Sequence, residues 1–332
     1  MEKLNVGVIG VGHLGALHTK MFTMIESVNL IGVFDVNFDL AQKIATEFNT
    51  KQFNSLDELL DQVDAVSIAT PTKTHFDVAM KVIEKKKHIF IEKPITETAD
   101  EARELIRLSK TNDVKIQVGH VERFNPALMS LESIQMDPLF IESHRLAQFN
   151  PRGTDVAVVH DLMIHDIDII LSLVKSPIES IEANGVGVVT DTIDIANARL
   201  RFKNGCVANV TASRISKNKM RKMRIFQRDA YISLDFSEGT SEVFRLVDEN
   251  DQGIQSTMLL GKIEAGNKNK KIIYERPERK EINALKHELE LFIDAIRFDR
   301  IPQVTADDGL RALEVAHAII EKIGKQQITS TL

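Results

Sequence analysis

Gly10, Gly12 and Gly15 follow the apolar run Val6, Val8 and Ile9 in the spacing G-x-G-x-x-G, and helical periodicity sets in from residue 16. Strand, glycine turn and helix in that order suit the approach of a phosphate to the backbone. The first glycine makes the tight turn, the second removes the side chain that would block a pyrophosphate, and the third lets helix and strand pack closely. The unpaired N–H groups opening the helix, at His13 and Leu14, then face the anion. A second apolar run, 28–34, ends in Asp35, twenty residues beyond Gly15. A carboxylate there accepts from the adenosine ribose 2′-hydroxyl and repels a 2′-phosphate, so the pattern reads as a dinucleotide site preferring NAD to NADP.

Three further residues complete a reactive set. Lys93 stands in Glu92-Lys93-Pro94, directly after the strand-like run 88–91. The proline disfavours helix at the lysine, which is therefore held at a sheet's carboxyl edge, where open α/β sheets bind their ligands. Asp161 and His165 are four residues apart within 155–174, a segment whose apolar content suits a buried helix; at that spacing they share one face. Asp168, three further on, is placed to orient the helix or His165. The cluster His160, Asp161, His165, Asp166 and Asp168 also admits a divalent-metal reading, but no matching His or Cys group stands elsewhere, and no metal is expected.

The elements that must hold these groups alternate. After the runs already named come a helix over 38–48, a cap at Ser55 with Glu58, and a strand over 65–69. Thr70-Pro71 turns at that strand's carboxyl end, and His75 opens the next helix; all three border the expected cofactor, as does Glu92. Thr98 and Glu101 cap another helix, and 115–118 is the last strand of a parallel unit. Further on, Lys203-Asn204-Gly205 between two alternating runs marks a hairpin. Runs over 224–226, 231–235 and 243–248 read as antiparallel strands, 261–271 as a mobile loop, and 283–297 and 306–325 as amphipathic helices.

With 332 residues the chain exceeds one usual core, and two domains are expected. A net charge of −6 argues against nucleic acid as a partner. No eighteen-residue apolar stretch and no leader pattern is present, so neither a membrane nor secretion is indicated, and a cytoplasmic location is expected. The single cysteine, Cys206, can form no internal disulfide and reads as a small core or interface residue.

Taken together, GVGHLG at 10–15, ATPTKTH at 69–75, EKP at 92–94, GHVERFNPA at 119–127, the Asp161/His165 pair and VTADDGLRALEVA at 304–316 resemble the Gfo/Idh/MocA oxidoreductases over essentially the whole chain. The resemblance implies an α/β protein. Residues 1–120 would form an NAD-binding Rossmann domain with a parallel, doubly wound sheet. Residues 121–332 would form an α/β domain with a large, open, mostly antiparallel sheet that mediates assembly into a homodimer or homotetramer, its last helix returning to the first domain. It also carries catalytic roles onto Lys93, Asp161 and His165. Where the family commonly has glycines around its acid and histidine, this chain has Val158, Val159 and Met163.

The activity so implied is NAD(P)-dependent oxidation of a secondary hydroxyl on a sugar. His165 would take the hydroxyl proton, Lys93 would hydrogen-bond the reacting oxygen, or relay the proton itself, and Asp161 would orient the pair. The substrate implied is a nucleotide sugar, UDP-N-acetylglucosamine oxidised at its 3-hydroxyl; a free polyol such as inositol is the alternative. A non-catalytic NAD-binding sensor would need the fold without Lys93, Asp161 and His165. Residues 213–224 carry Arg214, Lys217, Lys219, Arg221, Lys222 and Arg224 with no acid, which suits a diphosphate or, alternatively, a solvated basic strand at an oligomer edge. Arg123, Asn125 and Arg152 are further expected substrate contacts.

Overall fold

The computed structural model describes residues 3–150, 156–248, 258–265 and 268–329, and it divides into two compact units. The first is Met1–Phe124 with Ile282–Glu314; the second is Asn125–Glu281 with Val315–Leu332. Residues 282–314, beyond the expected boundary at 120 but expected to return the chain towards the first domain, are counted with the first unit.

In the first unit six parallel strands, β1 (Leu4–Ile9), β2 (Val28–Phe34), β3 (Lys51–Gln52), β4 (Ala65–Ile68), β5 (His88–Glu92) and β6 (Ile116–Gly119), run in the order β3-β2-β1-β4-β5-β6. The order reverses between β1 and β4, where a doubly wound sheet opens a crevice at its carboxyl ends. The intervening helices are α1 (His13–Phe22), α2 (Phe38–Glu47), α3 (Leu56–Leu60), α4 (His75–Glu84) and α5 (Ala99–Asn112). The cap at Ser55 forms, and Thr98 with Glu101 makes a reciprocal capping box on α5. Val6 and Val8 of β1, Phe22 of α1, Phe90 of β5, and Leu289, Phe292 and Ile293 fill one buried cluster.

The second unit opens with the single-turn helix α6 (Pro126–Met129). Its sheet has nine strands among the described residues: β7 (Phe140–Leu146), β8 (Ile178–Val186), β9 (Ile195–Phe202), β10 (Val207–Ser213), β11 (Met220–Phe226), β12 (Ala230–Asp235), β13 (Thr240–Asp248), β14 (Met258–Ala265) and β15 (Lys268–Glu275), in the order β14-β15-β13-β12-β11-β7-β10-β9-β8. Among the described strands of this sheet only β7 and β10 pair in parallel. The expected hairpin is β9–β10, its turn carrying Gly205 at φ +89°, a conformation that L side chains rarely adopt. Residues 261–271, read as a loop, instead belong largely to β14 and β15. The stretch 155–174 is not one regular helix: a π-helical turn over Val159–Met163 leads into α7 (Ile164–Leu173).

Side chains alternate across this sheet. Ile141, Ser143 and Arg145 of β7 are buried on the side where Arg145 meets Asp166 of α7. On the opposite face Phe140, Phe226, Tyr231, Phe244 and Tyr274 stand on five neighbouring strands in a ladder, with ring centroids 5.0–6.0 Å apart. The helices α8 (Ala284–Arg297) and α9 (Ala306–Thr329) complete the chain.

Candidate active site

The glycine turn tests whether a dinucleotide fits. Gly10 sits at φ +80°, and a Cβ there would lie 2.7–2.9 Å from Thr70. At Gly15 a Cβ would stand 1.8 Å from the carbonyl oxygen of Gly10, which no relaxation accommodates. Gly12 differs: a Cβ would meet nothing within 4 Å, so no packing demand explains this glycine. It is the N-cap of α1 and supplies no side-chain cap, leaving the first amides of the helix turned toward open space beside His13 and Leu14, both exposed. Backbone donors without a side-chain partner, at the positive end of a helix, are the chemistry that holds a pyrophosphate.

Asp35, at the end of β2, is pinned on both oxygens. Oδ2 accepts from the amide of Val11 at 2.7 Å and Oδ1 from the amide of Asn37 at 2.8 Å. The carboxylate therefore bridges the glycine turn to the start of α2 and keeps its outer lone pairs for a hydroxyl donor. These residues fit NAD.

Across the switch point, His75 lies under the site. Its ring is buried, with Nδ1 2.9 Å from the carbonyl oxygen of Pro94 and Nε2 2.9 Å from that of Thr70. Burial, opposed by these two acceptors, holds the ring's pKa below the ordinary histidine value. His75, expected to border the cofactor, stands between the Thr70-Pro71 turn and the Lys93-Pro94 turn, with a ring nitrogen against a backbone carbonyl of each. Glu92, expected beside the cofactor, is likewise turned inward, with Oε1 3.0 Å from Nε2 of the fully buried His18. Lys93 itself is half-buried at the strand end.

Asp161 and His165 belong to the second unit and are both half-buried, Asp161 on the π-helical turn and His165 one residue into α7. π-helical turns are uncommon and frequent at functional sites. Two buried ion pairs fix the segment. Arg145 donates to both oxygens of Asp166, at 2.8 and 3.2 Å, so this acid of the possible metal cluster is occupied by a guanidinium. Just before the turn, the amide of Val158 donates to the carbonyl of Ile193 at 2.9 Å, and Arg214 donates to the carbonyl of Val156.

Arg214 is 5% exposed, with Nε 3.9 Å from Oδ1 of the fully buried Asp194. It therefore braces the segment entering the π turn. Asp194 accepts from the amides of Val188, Val189 and Thr190 at 2.7–2.9 Å and from the Thr190 hydroxyl at 2.8 Å. Burial alone would raise its carboxyl, but the three amides and the hydroxyl outweigh that and hold it far below the usual carboxylate range. Nothing in the sequence marked Asp194 except its polarity between apolar neighbours, and His18 was marked only by lying three residues beyond Gly15.

The other expected contacts are also engaged within the fold. Arg123 lies 3.6 Å from Asp308, which with Thr305 forms the reciprocal cap of α9. Asn125 caps α6 through Ala127 and donates to the carbonyl of Phe236 at 3.0 Å. Arg152 lies outside the described residues. In the basic segment, Lys222 pairs with Asp235 at 3.2 Å and Arg224 with Glu142 at 3.4 Å, while Lys217, Lys219 and Arg221 are exposed. Its strand β11 lies between β12 and β7 in the interior of the sheet, not at an edge. Cys206 is buried, and burial pushes its thiol up to about 11. Among the described residues no group of three His, Cys, Asp or Glu has the geometry to hold a metal ion.

Comparison with family models adds the deciding observation. Residues 4–120 match the Gfo/Idh/MocA model described as an oxidoreductase family with an NAD-binding Rossmann fold, and residues 137–233 match the Gfo/Idh/MocA C-terminal domain. The chain belongs to the Gfo/Idh/MocA oxidoreductase family. Its cofactor is NAD, and its chemistry is dehydrogenation at a hydroxyl-bearing carbon.

Within the Gfo/Idh/MocA family the chain is 42% identical over 245 residues to a UDP-N-acetylglucosamine 3-dehydrogenase of Acidithiobacillus ferrooxidans, covering 74% of this chain and 78% of that one. The solved structure of that enzyme superposes with a TM-score of 0.87 at 36% identity, covering 97% and 98% of the two chains. A myo-inositol 2-dehydrogenase of Thermotoga maritima is 25% identical over 333 residues, 95% of each chain.

Proposed function

We propose that this enzyme oxidises the 3-hydroxyl of UDP-N-acetylglucosamine, with NAD rather than NADP. The observation that carries the reading is the likeness to the Acidithiobacillus enzyme, 42% identical over 74% of this chain and superposing over 97% of it, against 25% identity for the inositol dehydrogenase. NAD supplies the hydride acceptor when bound. His165, whose ordinary pKa suits proton transfer near neutrality, takes the hydroxyl proton, and Asp161 orients it. Lys93 donates a hydrogen bond to the reacting oxygen and stabilises its developing negative charge. Lys217, Lys219 and Arg221, exposed in the second unit, meet the diphosphate. Asp35 sets the preference for NAD, since its carboxylate is tied at both oxygens and cannot turn away from a 2′-phosphate.

The enzyme works in the cytoplasm as a homodimer or homotetramer. Support comes from the aromatic ladder on the open sheet face, an apolar surface of the kind that copies of a chain bury against each other.

NADH formation from UDP-N-acetylglucosamine, UDP-glucose, inositol and glucose, the first coupled to an aminotransferase that draws off the keto product, tests the substrate. Turnover of UDP-N-acetylglucosamine above the rest is expected. Turnover of the free polyols with none of either nucleotide sugar overturns the substrate while leaving the dehydrogenase standing.

A further inference from the structure

A line of hydrogen-bonded side chains runs through the interior of the first unit with no packing need to explain it. His18 on α1 is fully buried, with Phe90 edge-on at 5.4 Å. Its Nδ1 lies 2.7 Å from the hydroxyl of Ser67 on β4 and its Nε2 3.0 Å from Oε1 of Glu92 at the end of β5. Oε2 of Glu92 accepts from the amide of Lys93 at 3.2 Å. Space for the carboxylate comes from Gly119, paired with Glu92 across β5 and β6; a Cβ there would lie 3.0–3.2 Å from the carboxylate atoms. Burial alone would raise the Glu92 carboxyl, but the hydrogen bond and charge of His18, together with Lys93, bring it below its ordinary value. Oε1 of the ionised group can only accept, so Nε2 of His18 carries the hydrogen on that side.

A buried acid–histidine pair is poor value as a source of stability, since apolar residues of similar volume do as well or better. What the pair does have is position. His18 sits on the helix whose uncapped first amides would meet the pyrophosphate of a bound cofactor, and Glu92 accepts from the backbone amide of the lysine assigned to the reacting oxygen. We propose that Glu92, oriented by His18, is a positioning residue that fixes Lys93 to the cofactor-binding helix. The inference rests on the reading that Lys93 serves the reacting oxygen. Holding a reacting group within a fraction of an ångström is worth a great deal, because a displacement of about 1 Å costs about 100-fold in rate.

The test is a double-mutant cycle on the full-length enzyme with NAD and UDP-N-acetylglucosamine. Glu92→Gln keeps the shape of the side chain, and His18→Asn keeps a donor of shorter reach. Each is expected to lower kcat by about 10- to 100-fold with KM changed by less than about threefold, and to raise the isotope effect on substrate deuterated at the oxidised carbon. In a Lys93→Ala background Glu92→Gln is expected to cost nothing further, because the residue acts only through the lysine. An equal loss from Glu92→Gln with and without Lys93 overturns the proposal in favour of a structural role.

Labelling gives a readout without turnover. The titratable groups that face Glu92 include His18 from α1, Lys93 beside it and His75 from α4, and Glu92→Gln removes the negative charge beside the Lys93 amine. In NADH-bound protein, acetylation of Lys93 followed by mass spectrometry is expected to quicken several-fold in Glu92→Gln while other lysines hold their rates; an unchanged Lys93 rate counts against the proposal. If Lys93→Ala alone keeps a near-normal kcat, the assignment of Lys93 fails first. If Lys93→Ala is inactive and Glu92→Gln turns over normally, only the positioning role fails.

Discussion

On the function proposed, the glycine turn of the first unit and the Asp161–His165 segment of the second do comparable work by opposite means. The turn binds through backbone, and its demands are steric: Gly15 has no room for a methyl group and Gly12 has open space that must stay open. The segment carries its candidate groups as side chains on an irregular helical turn, secured by Arg145 with Asp166 and by Arg214 with Asp194. The first is broken by adding an atom, the second by removing a charge. The difference teaches that a backbone site is specified by residues adjacent in sequence, while a side-chain site is specified by partners tens of residues away.

Removing a reacting group should have the largest effect. Lys93→Ala and His165→Ala are each expected to lower kcat by about 100- to 10,000-fold, the usual worth of an acid–base group, with NADH affinity by fluorescence titration within a small factor of the parent. A loss of NADH binding that matches the loss of rate would show that the two regions do not divide cofactor from chemistry in this way.

Next comes the charge that braces the second region. Asp194→Asn leaves Arg214 buried beside a neutral group and is expected to cost about 3–5 kcal/mol in urea unfolding. The pH dependence has a definite sign. A carboxyl whose folded pKa lies below its unfolded value of about 3.9 contributes stability above that pH and loses it as the pH falls toward the folded value. Unfolding series below about pH 4 should therefore show a steeper acid limb in the parent than in Asp194→Asn, and parallel limbs would remove Asp194 from the account.

The two glycines sharpen the contrast further. Gly12→Ala is expected to keep stability within about 1 kcal/mol, as at other N-caps, yet to weaken NADH binding by about 10-fold or more through a misplaced methyl group. Gly15→Ala should lose stability and binding together. If Gly12→Ala also unfolds the protein, the space above that residue is not reserved for a ligand. The smallest expected effect is at Asp35: Asp35→Ala should narrow the preference for NAD over NADP by about 10-fold, the worth of one charge-assisted hydrogen bond, and tighter NADPH than NADH binding in the parent would reverse the assignment.

Sequence legibility follows the same line. Five of the six parallel strands, the capping box at Thr98 and the glycine turn were readable because their signals are local, whereas β3, two residues long, carries no pattern to read. Strand β7 was not, since its inward positions include Ser143 and Arg145, and the arginine is inward only because Asp166 answers it from α7. Strand β8 hides behind a register shift between Ile178 and Ser180 that breaks the period of two. Residues 261–271, largely split between the edge strand β14 and its neighbour β15, look like a loop because Lys262, Lys268, Lys270 and Lys271 interrupt the apolar alternation that marks a strand. Arg123, Asn125 and Arg214 announced their chemistry but not their partners within the fold, Asp308, Phe236 and Asp194, which lie far away in sequence.

The ladder on the open face of the second sheet has an optical consequence. The chain has no tryptophan and two tyrosines, Tyr231 and Tyr274, and both stand in that ladder. Every photon of intrinsic phenol emission therefore comes from one surface of the second unit, and the nicotinamide's own fluorescence can be read free of indole background. One sample thus carries two separate reporters, one for whatever covers the sheet and one for occupancy of the cofactor.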